Sequence, residues 1–187
     1  MDHIDTASLI SLTRAGDSAA VEALIGTYKT LVYRLALSFL DDPAEADEAT
    51  QDALIAAVKR LDRFRGDSSF TTWLYSITLN VCRGRLRRRR ASERLTQALR
   101  ALWHNDAPPE VHPEQIVIHG EAEAAVWRAI HSLDEAHRET VILRYYHDLR
   151  LADIARIVGV SERTVRARLH AAHERLRVAL DEKADRP

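Results

Sequence analysis

Between Val21 and Leu40 the apolar residues fall at Val21, Leu24, Ile25, Tyr28, Leu31, Val32, Leu35, Phe39 and Leu40. Steps of three and four place them on one broad face of a long helix. After a break at "DDP" the same spacing returns in Ala46, Ala49, Ala53, Leu54, Ala57, Val58 and Leu61, with Pro43 suited to a first helical turn. A third helix is expected from Ser69 or Phe70 through "FTTWLYSITLNVCRGRLRRRR", with Asp67, Ser68 or Ser69 as its cap. No stretch alternates with period two for long enough to form a sheet. The expected fold class is therefore all-α.

Beyond Arg90 the pattern loosens. "SERLTQALRALW" has room for a short helix, and the prolines of "HNDAPPEVHPE" cannot continue one. Helical spacing resumes in "EAEAAVWRAIHSL" and in "DEAHRETVILRYYHDL", where Asp134 is placed to cap. The expected organisation is two small helical domains, residues 1–92 and 113–187, joined by a linker at 93–112. A composition of 46% hydrophobic and 29% charged residues suits a soluble, helix-rich chain. Cys82 is the single cysteine, which excludes an internal disulfide and points to a reducing cytoplasm. It is expected in or near the packed face of the third helix. The N-terminus lacks a basic region followed by an apolar core, and no apolar run reaches the roughly 18 residues of a membrane span, so neither a signal peptide nor membrane insertion is expected.

"LADIARIVGVSERTVRARL", Leu151 to Leu169, has the spacing of a DNA-binding helix-turn-helix. Ile154, Val158, Val160, Val165 and Leu169 can share a core, Ala155 is small where two helices cross, and Gly159 supplies the turn. Ser161 is placed to cap the second helix and Glu162 suits its dipole. On that helix Val165, Leu169, Ala172 and Leu176 face inward, whereas Arg163, Arg166, His170, His173 and Arg177 form a basic outer stripe. Such a stripe suits the major groove, some side chains holding phosphates and others reaching base edges.

Two opposed charge blocks mark the first half. Asp41–Asp52, "DDPAEADEATQD", holds six acidic residues and no basic one, and Glu48, Gln51, Asp52 and Ile55 share a face opposite the buried alanines. Acidic groups around an exposed isoleucine form a candidate protein-docking surface. "RGRLRRRR", Arg83–Arg90, holds six arginines in a chain of net charge -1. Pairing with the acidic block would use few of them and contribute little per surface pair. A polyanion is the better partner. The aromatic and hydroxyl-rich "FRGDSSFTTWLY" just upstream suits unpaired bases, with ordinary core packing as the competing account of Phe64, Phe70 and Trp73.

Taken in order, "DDPAEADEATQDALIAA", "LDRFRGDSSFTTWLYSITLN" with the arginines, and "LDEAHRETVILRYYHDLRLADIARIVGVSERTVRARLHAAHERLR" resemble a bacterial RNA polymerase sigma factor of the extracytoplasmic function (ECF) type, the small class with only the second and fourth sigma regions. The resemblance covers nearly the whole chain. It implies that Glu48, Gln51, Asp52 and Ile55 dock on the clamp of the largest subunit of core RNA polymerase, with a further contact at the flap region. It implies that Phe64, Arg65, Gly66, Asp67, Ser68 and Ser69 form the loop capturing a flipped base of the -10 element, and that Asn80, Arg83 and Arg87 face promoter DNA beside it. It assigns Ser161, Arg163, Thr164, Arg166, Arg168 and His170 to the -35 element, and suggests an anti-sigma factor as a further partner. The implied location is the cytoplasm, on the nucleoid when active or held at the membrane by an anti-sigma factor.

Three departures from the family pattern stand out. Ala49, Thr50 and Ala53 replace larger aliphatic residues, which predicts a looser core in the docking helix. Gly84 lies where an acidic residue is usual and predicts a local break, and Ala167 replaces a small hydroxyl residue of the reader helix. No catalytic residue, cofactor or metal is implied. A helix-turn-helix regulator acting without polymerase is the alternative reading, but leaves the acidic helix and arginine cluster without a role. A metal-dependent nuclease using Asp41, Asp42, Glu45 and Asp47 is disfavoured, because acids at a helix start are favoured by the dipole alone. The scattered histidines, His104, His112 and His119 among them, lack a metal-ligand spacing.

Overall fold

The structure is a computed structural model and describes residues 5–102 and 121–184. Among these there are eight α-helices and no strand. The first four are α1 (Thr6–Arg14), α2 (Ser18–Leu40), α3 (Pro43–Lys59) and α4 (Phe70–Leu102). After residues 103–120 follow α5 (Glu121–Ser132), α6 (Glu135–Val141), α7 (Leu151–Val158) and α8 (Glu162–Ala184). Contacts divide the described chain into two compact units. One comprises the residues up to Phe64 together with α4 from Ile77 onward, the other Arg65–Ser76 together with α5 to α8.

In the first unit the starts of α2 and α3 each follow from a local side-chain bond. Asp17 Oδ1 accepts from the Ala20 N–H at 3.0 Å, and Asp42 Oδ1 from the Glu45 N–H at 2.9 Å, with Pro43 in the first turn as expected. Ser69 caps α4, its Oγ accepting from the Thr72 N–H at 3.1 Å, so the start predicted at Ser69 or Phe70 holds. The core brings Val32, Leu35, Ala36, Phe39 and Leu40 of α2 together with Ala46, Ala49, Ala53, Leu54 and Ala57 of α3. Ala49, Thr50 and Ala53, the small residues from which a looser core is expected, are fully buried. The alanine stripe offers a smooth face on which α2 closes, and Thr50 Oγ1 satisfies itself on the Ala46 carbonyl at 2.7 Å. Cys82 is fully buried in α4, as expected.

Two features of this unit differ from the sequence reading. First, α1 was not anticipated. It buries Leu9, Ile10 and Thr13, and Arg14 at its end donates to the Leu61 and Phe64 carbonyls at 2.9 and 2.5 Å. Second, α4 neither breaks at Gly84 nor shortens after Arg90, but runs on to Leu102. An Arg89–Glu93 ion pair at 3.4 Å spans one turn across the point where the pattern loosens. A single glycine costs about 1 kcal/mol, which a helix of this length absorbs.

In the second unit Asp134 caps α6 as predicted, accepting from the His137 N–H at 3.2 Å. The helix expected through "DEAHRETVILRYYHDL" is α-helical only to Val141. It continues as a π-helical turn, Ile142–Tyr146, closed by the His147 N–H on the Ile142 carbonyl at 3.2 Å. α7 ends on Gly159 at φ +78°, the left-handed conformation that made glycine the expected turn residue. Ile154, Ala155, Val158, Val165, Leu169 and Ala172 are buried, whereas Val160 and Leu176 are half-buried. Ile142, Leu143 and Val141 complete this core. Where Arg65–Ser76 belongs to the same unit, Thr72 Oγ1 donates to Asp153 Oδ1 at 3.2 Å and Tyr75 lies edge-on to His147 with 5.5 Å between rings.

Candidate nucleic-acid and protein interfaces

On α3 the buried alanines force the opposite face outward, and Glu48, Gln51, Asp52 and Ile55 are all exposed, Ile55 by 52%. Gln51 donates to Asp47 at 3.0 Å, one turn back along the same face. The four residues expected to form one surface therefore do so. That surface has a neighbour the sequence did not place. Arg85 of α4 reaches across, donating from Nη1 to Glu48 at 2.9 Å and from Nη2 to Asp52 at 2.5 Å. Burial works against the Arg85 charge, but the hydrogen bonds it donates to Glu48 and Asp52 and their negative charge prevail, holding its pKa above the ordinary value.

The arginine cluster thus has two sides. Arg83, Arg87 and Arg90 follow one another by four and three residues and share one face of α4, whereas Arg85, Arg88 and Arg89 are clustered on another. The second set lines a groove with Glu45, Glu48 and Asp52. Of the residues expected to face DNA, Asn80 and Arg87 are exposed and Arg83 is half-buried, its Nη1 on Asn80 Oδ1 at 3.4 Å. Within the cluster, Arg85 is the side chain seen to pair with the acidic block across the two helices.

The loop before α4 is open. Arg65, Gly66, Asp67 and Ser69 are exposed, Phe64 and Ser68 half-buried, and Gly66 sits at φ +81° with nothing near its missing side chain. Phe70 is buried and Trp73 half-buried against it, ring centres 5.5 Å apart, which supports core packing for this pair.

On α8, Ser161 Oγ accepts from the Thr164 N–H at 3.2 Å and meets Thr164 Oγ1 at 2.9 Å. The helix therefore starts where Arg163, Arg166 and His170 are exposed on its outer side, with Thr164 and Arg168 half-buried beside them. Two members of the expected stripe have partners: His173 Nε2 meets Tyr145 Oη at 2.7 Å, and Arg177 pairs with Glu174 at 3.2 Å. Tyr145 was not anticipated at this face. It gets there because the π-helical turn rotates it out of the α-helical pattern.

Among the described residues, no group of three or more His, Cys, Asp or Glu side chains is placed to hold a metal ion. The carboxylates of the nuclease reading have local roles: Asp41 ends α2 at φ +55° and Asp42 caps α3. No helix among the described residues is long and apolar enough to cross a membrane.

Comparison with known proteins agrees in both halves. The families sigma-70 region 2 and sigma-70 region 4 match residues 24–92 and 123–176. The RNA polymerase sigma-H factor of Pseudomonas aeruginosa is 32% identical over 177 residues, covering 92% of each chain. The ECF RNA polymerase sigma-E factor of Escherichia coli is 32% identical over 171 residues, covering 89% of each. The solved structure of CnrH in complex with the cytosolic domain of CnrY superposes with a TM-score of 0.67 at 26% identity, covering 95% of this chain and 97% of that one.

Proposed function

Since the chain belongs to the sigma-70 family as an ECF RNA polymerase sigma factor, a protein of promoter-specific transcription initiation, we propose that it performs this function through three separate faces. Family membership favours this reading over a helix-turn-helix regulator that works without polymerase.

The outer face of α3 docks core polymerase at the clamp of its largest subunit, Glu48, Gln51 and Asp52 supplying charge and hydrogen bonds and Ile55 an apolar contact. Arg65 to Ser69, after Phe64, receive a base flipped from the -10 element, while Asn80, Arg83 and Arg87 hold the adjoining backbone. Capturing the base offsets the few kcal/mol that unstacking costs. Arg163, Arg166, Arg168 and His170, with Ser161 and Thr164 at the helix start, engage the -35 element, the arginines dividing between phosphates and base edges. Residues 1–92 and 113–187 act as the two reading heads, and 93–112 sets their spacing. A second contact reaches the polymerase flap. The chain performs no chemistry and needs no cofactor: it positions the polymerase.

We further propose an anti-sigma factor as a regulatory partner, supported by the CnrH relative, whose structure carries a second protein's cytosolic domain. The proposed location follows: cytoplasmic, on the nucleoid when active.

The observation that carries the reading is that each matched region presents its own exposed charged face, acidic on α3 and basic on α8. The test mixes the protein with bacterial core polymerase and randomised promoter fragments and sequences the transcripts that require it. Starts sharing two spaced motifs are expected. A Glu48→Ala, Gln51→Ala, Asp52→Ala variant should lose initiation yet still bind duplex DNA. No protein-dependent transcript, combined with site-specific duplex binding by the protein alone, would return the regulator reading.

A further inference from the structure

Arg85 lies inside the arginine cluster, yet its guanidinium is turned from the Arg83, Arg87 and Arg90 face towards α3. Glu48 and Asp52 are one turn apart on α3, and the two terminal nitrogens of Arg85 take one carboxylate each. Its side chain is only 16% exposed, against 68% for Glu48 and 53% for Asp52. The cation is therefore inside and the anions outside. Each carboxylate keeps an oxygen, Oε1 of Glu48 and Oδ1 of Asp52, outside the bridge. A planar guanidinium fork can set two carboxylates at a fixed separation, which an ammonium, a single point charge, cannot.

We propose that Arg85 is a positioning residue for core-polymerase docking and not a DNA contact: it holds Glu48 and Asp52 as an ordered pair whose remaining oxygens receive basic groups of the polymerase. This deepens the function proposed above and rests on its reading of α3 as the docking face. Free carboxylate side chains must be ordered when a partner binds, and that cost falls on affinity. Arg85 has already met it in the unbound protein. The ordered pair should act on the lifetime of the complex, because encounter is steered by the total charge, whereas dissociation depends on the short-range geometry.

The test compares the full-length wild type with Arg85→Gln, Arg85→Lys and a Glu48→Gln, Asp52→Gln double variant. Two measurements are made: association and dissociation with core polymerase in the absence of DNA, and the salt dependence with which the assembled complex binds a forked -10 DNA. Arg85→Gln is expected to dissociate about fivefold faster from core polymerase, with association little changed. Arg85→Lys keeps the charge but not the fork and should recover less than half of that loss. The salt slope of DNA binding should stay at the wild-type value for both Arg85 variants, whereas an Arg87→Gln reference should lower it by about 0.9, the effect of one phosphate contact.

Dissociation of Arg85→Gln at or below the wild-type rate overturns the proposal, and so does full rescue by Arg85→Lys, which would leave charge alone as the role. A fall in the DNA salt slope on Arg85→Gln assigns the residue to DNA and also overturns it. A thermal midpoint for each variant accompanies the kinetics, because a simple tie between α3 and α4 would lower the midpoint without changing dissociation of the folded protein. The double variant separates the two levels of the argument. If it binds core polymerase like the wild type, the docking face itself is wrong; if it loses binding while Arg85→Gln does not, docking stands and positioning fails.

Discussion

The start of α8 offers a perturbation that separates folding from DNA binding. Ser161→Ala removes the Oγ that accepts from the Thr164 N–H at 3.2 Å and meets Thr164 Oγ1 at 2.9 Å. Ser161 is exposed, so water replaces part of the lost bond, and the cost should lie near the middle of the range for helix caps, about 1 kcal/mol. In a domain of roughly 60–100 residues that corresponds to a midpoint lowered by about 4–8 °C. Ser161→Asp is the informative partner. It retains a capping oxygen and favours the helix dipole, yet places a negative charge at the end proposed to meet DNA. Thermal unfolding of the full chain, followed by circular dichroism, should give Ala a lowered midpoint and Asp one close to wild type. Duplex DNA titrations at fixed salt should weaken for Asp. An unchanged midpoint for Ala, or an Asp variant as unstable as Ala, would refute the capping argument. Unimpaired DNA binding by the Asp variant would refute the placement of this helix end against DNA.

Gly84→Ala should stabilise the protein by about 1 kcal/mol in urea unfolding, because Gly84 lies inside α4 and an added Cβ would meet only Arg87 Nη2 at 4.0 Å. Ile154→Ala, at a fully buried position of the helix-turn-helix core, should cost about 2–5 kcal/mol by the same measurement. Asp134 accepts from the His137 ring, with burial working against its charge and Arg175 adding a second bond, so its carboxyl is held well below the usual carboxylate range. A folded pKa below the unfolded value of about 3.9 contributes stability that is present above that value and lost as pH falls below it. Asp134→Asn should therefore reduce stability at pH 7 and shrink the wild-type loss on acidification below about pH 4, as read from urea midpoints across that range.

What was legible in the sequence was local. Asp134, Ser161 and Gly159 announced their roles, and Ser69 stood among three candidate caps, because a cap or a left-handed turn is set within four residues. The exposed face of α3 followed from its alanines, since a small-residue stripe must be the buried one. α1 escaped because Leu9, Ile10 and Thr13 make barely one turn of pattern, and its hold on the chain comes from packing on α2 and from Arg14 bonding carbonyls 47 and 50 residues away. Arg85 escaped for the same reason: its partners lie 37 and 33 residues back, and only packing decides that α3 and α4 present those faces to each other. The steps of three and four within the cluster already separated Arg85, Arg88 and Arg89 from Arg83, Arg87 and Arg90, although they could not say what either set faced.

The π-helical turn at Ile142–Tyr146 has a bearing on how this chain compares with others of different length. A π turn is an α-helix carrying one residue more than its pitch accommodates. Removing a residue there would let the segment close as ordinary α-helix, while every side chain before the deletion would shift phase by about 100° relative to those after it. Buried Val141 stands before that turn, whereas buried Ile142 and Leu143 stand within it, together with Tyr145, whose hydroxyl is turned onto His173. The extra residue thus acts as a gear tooth: it keeps the hydrophobic core of α6 engaged while indexing a tyrosine onto the outer side of α8.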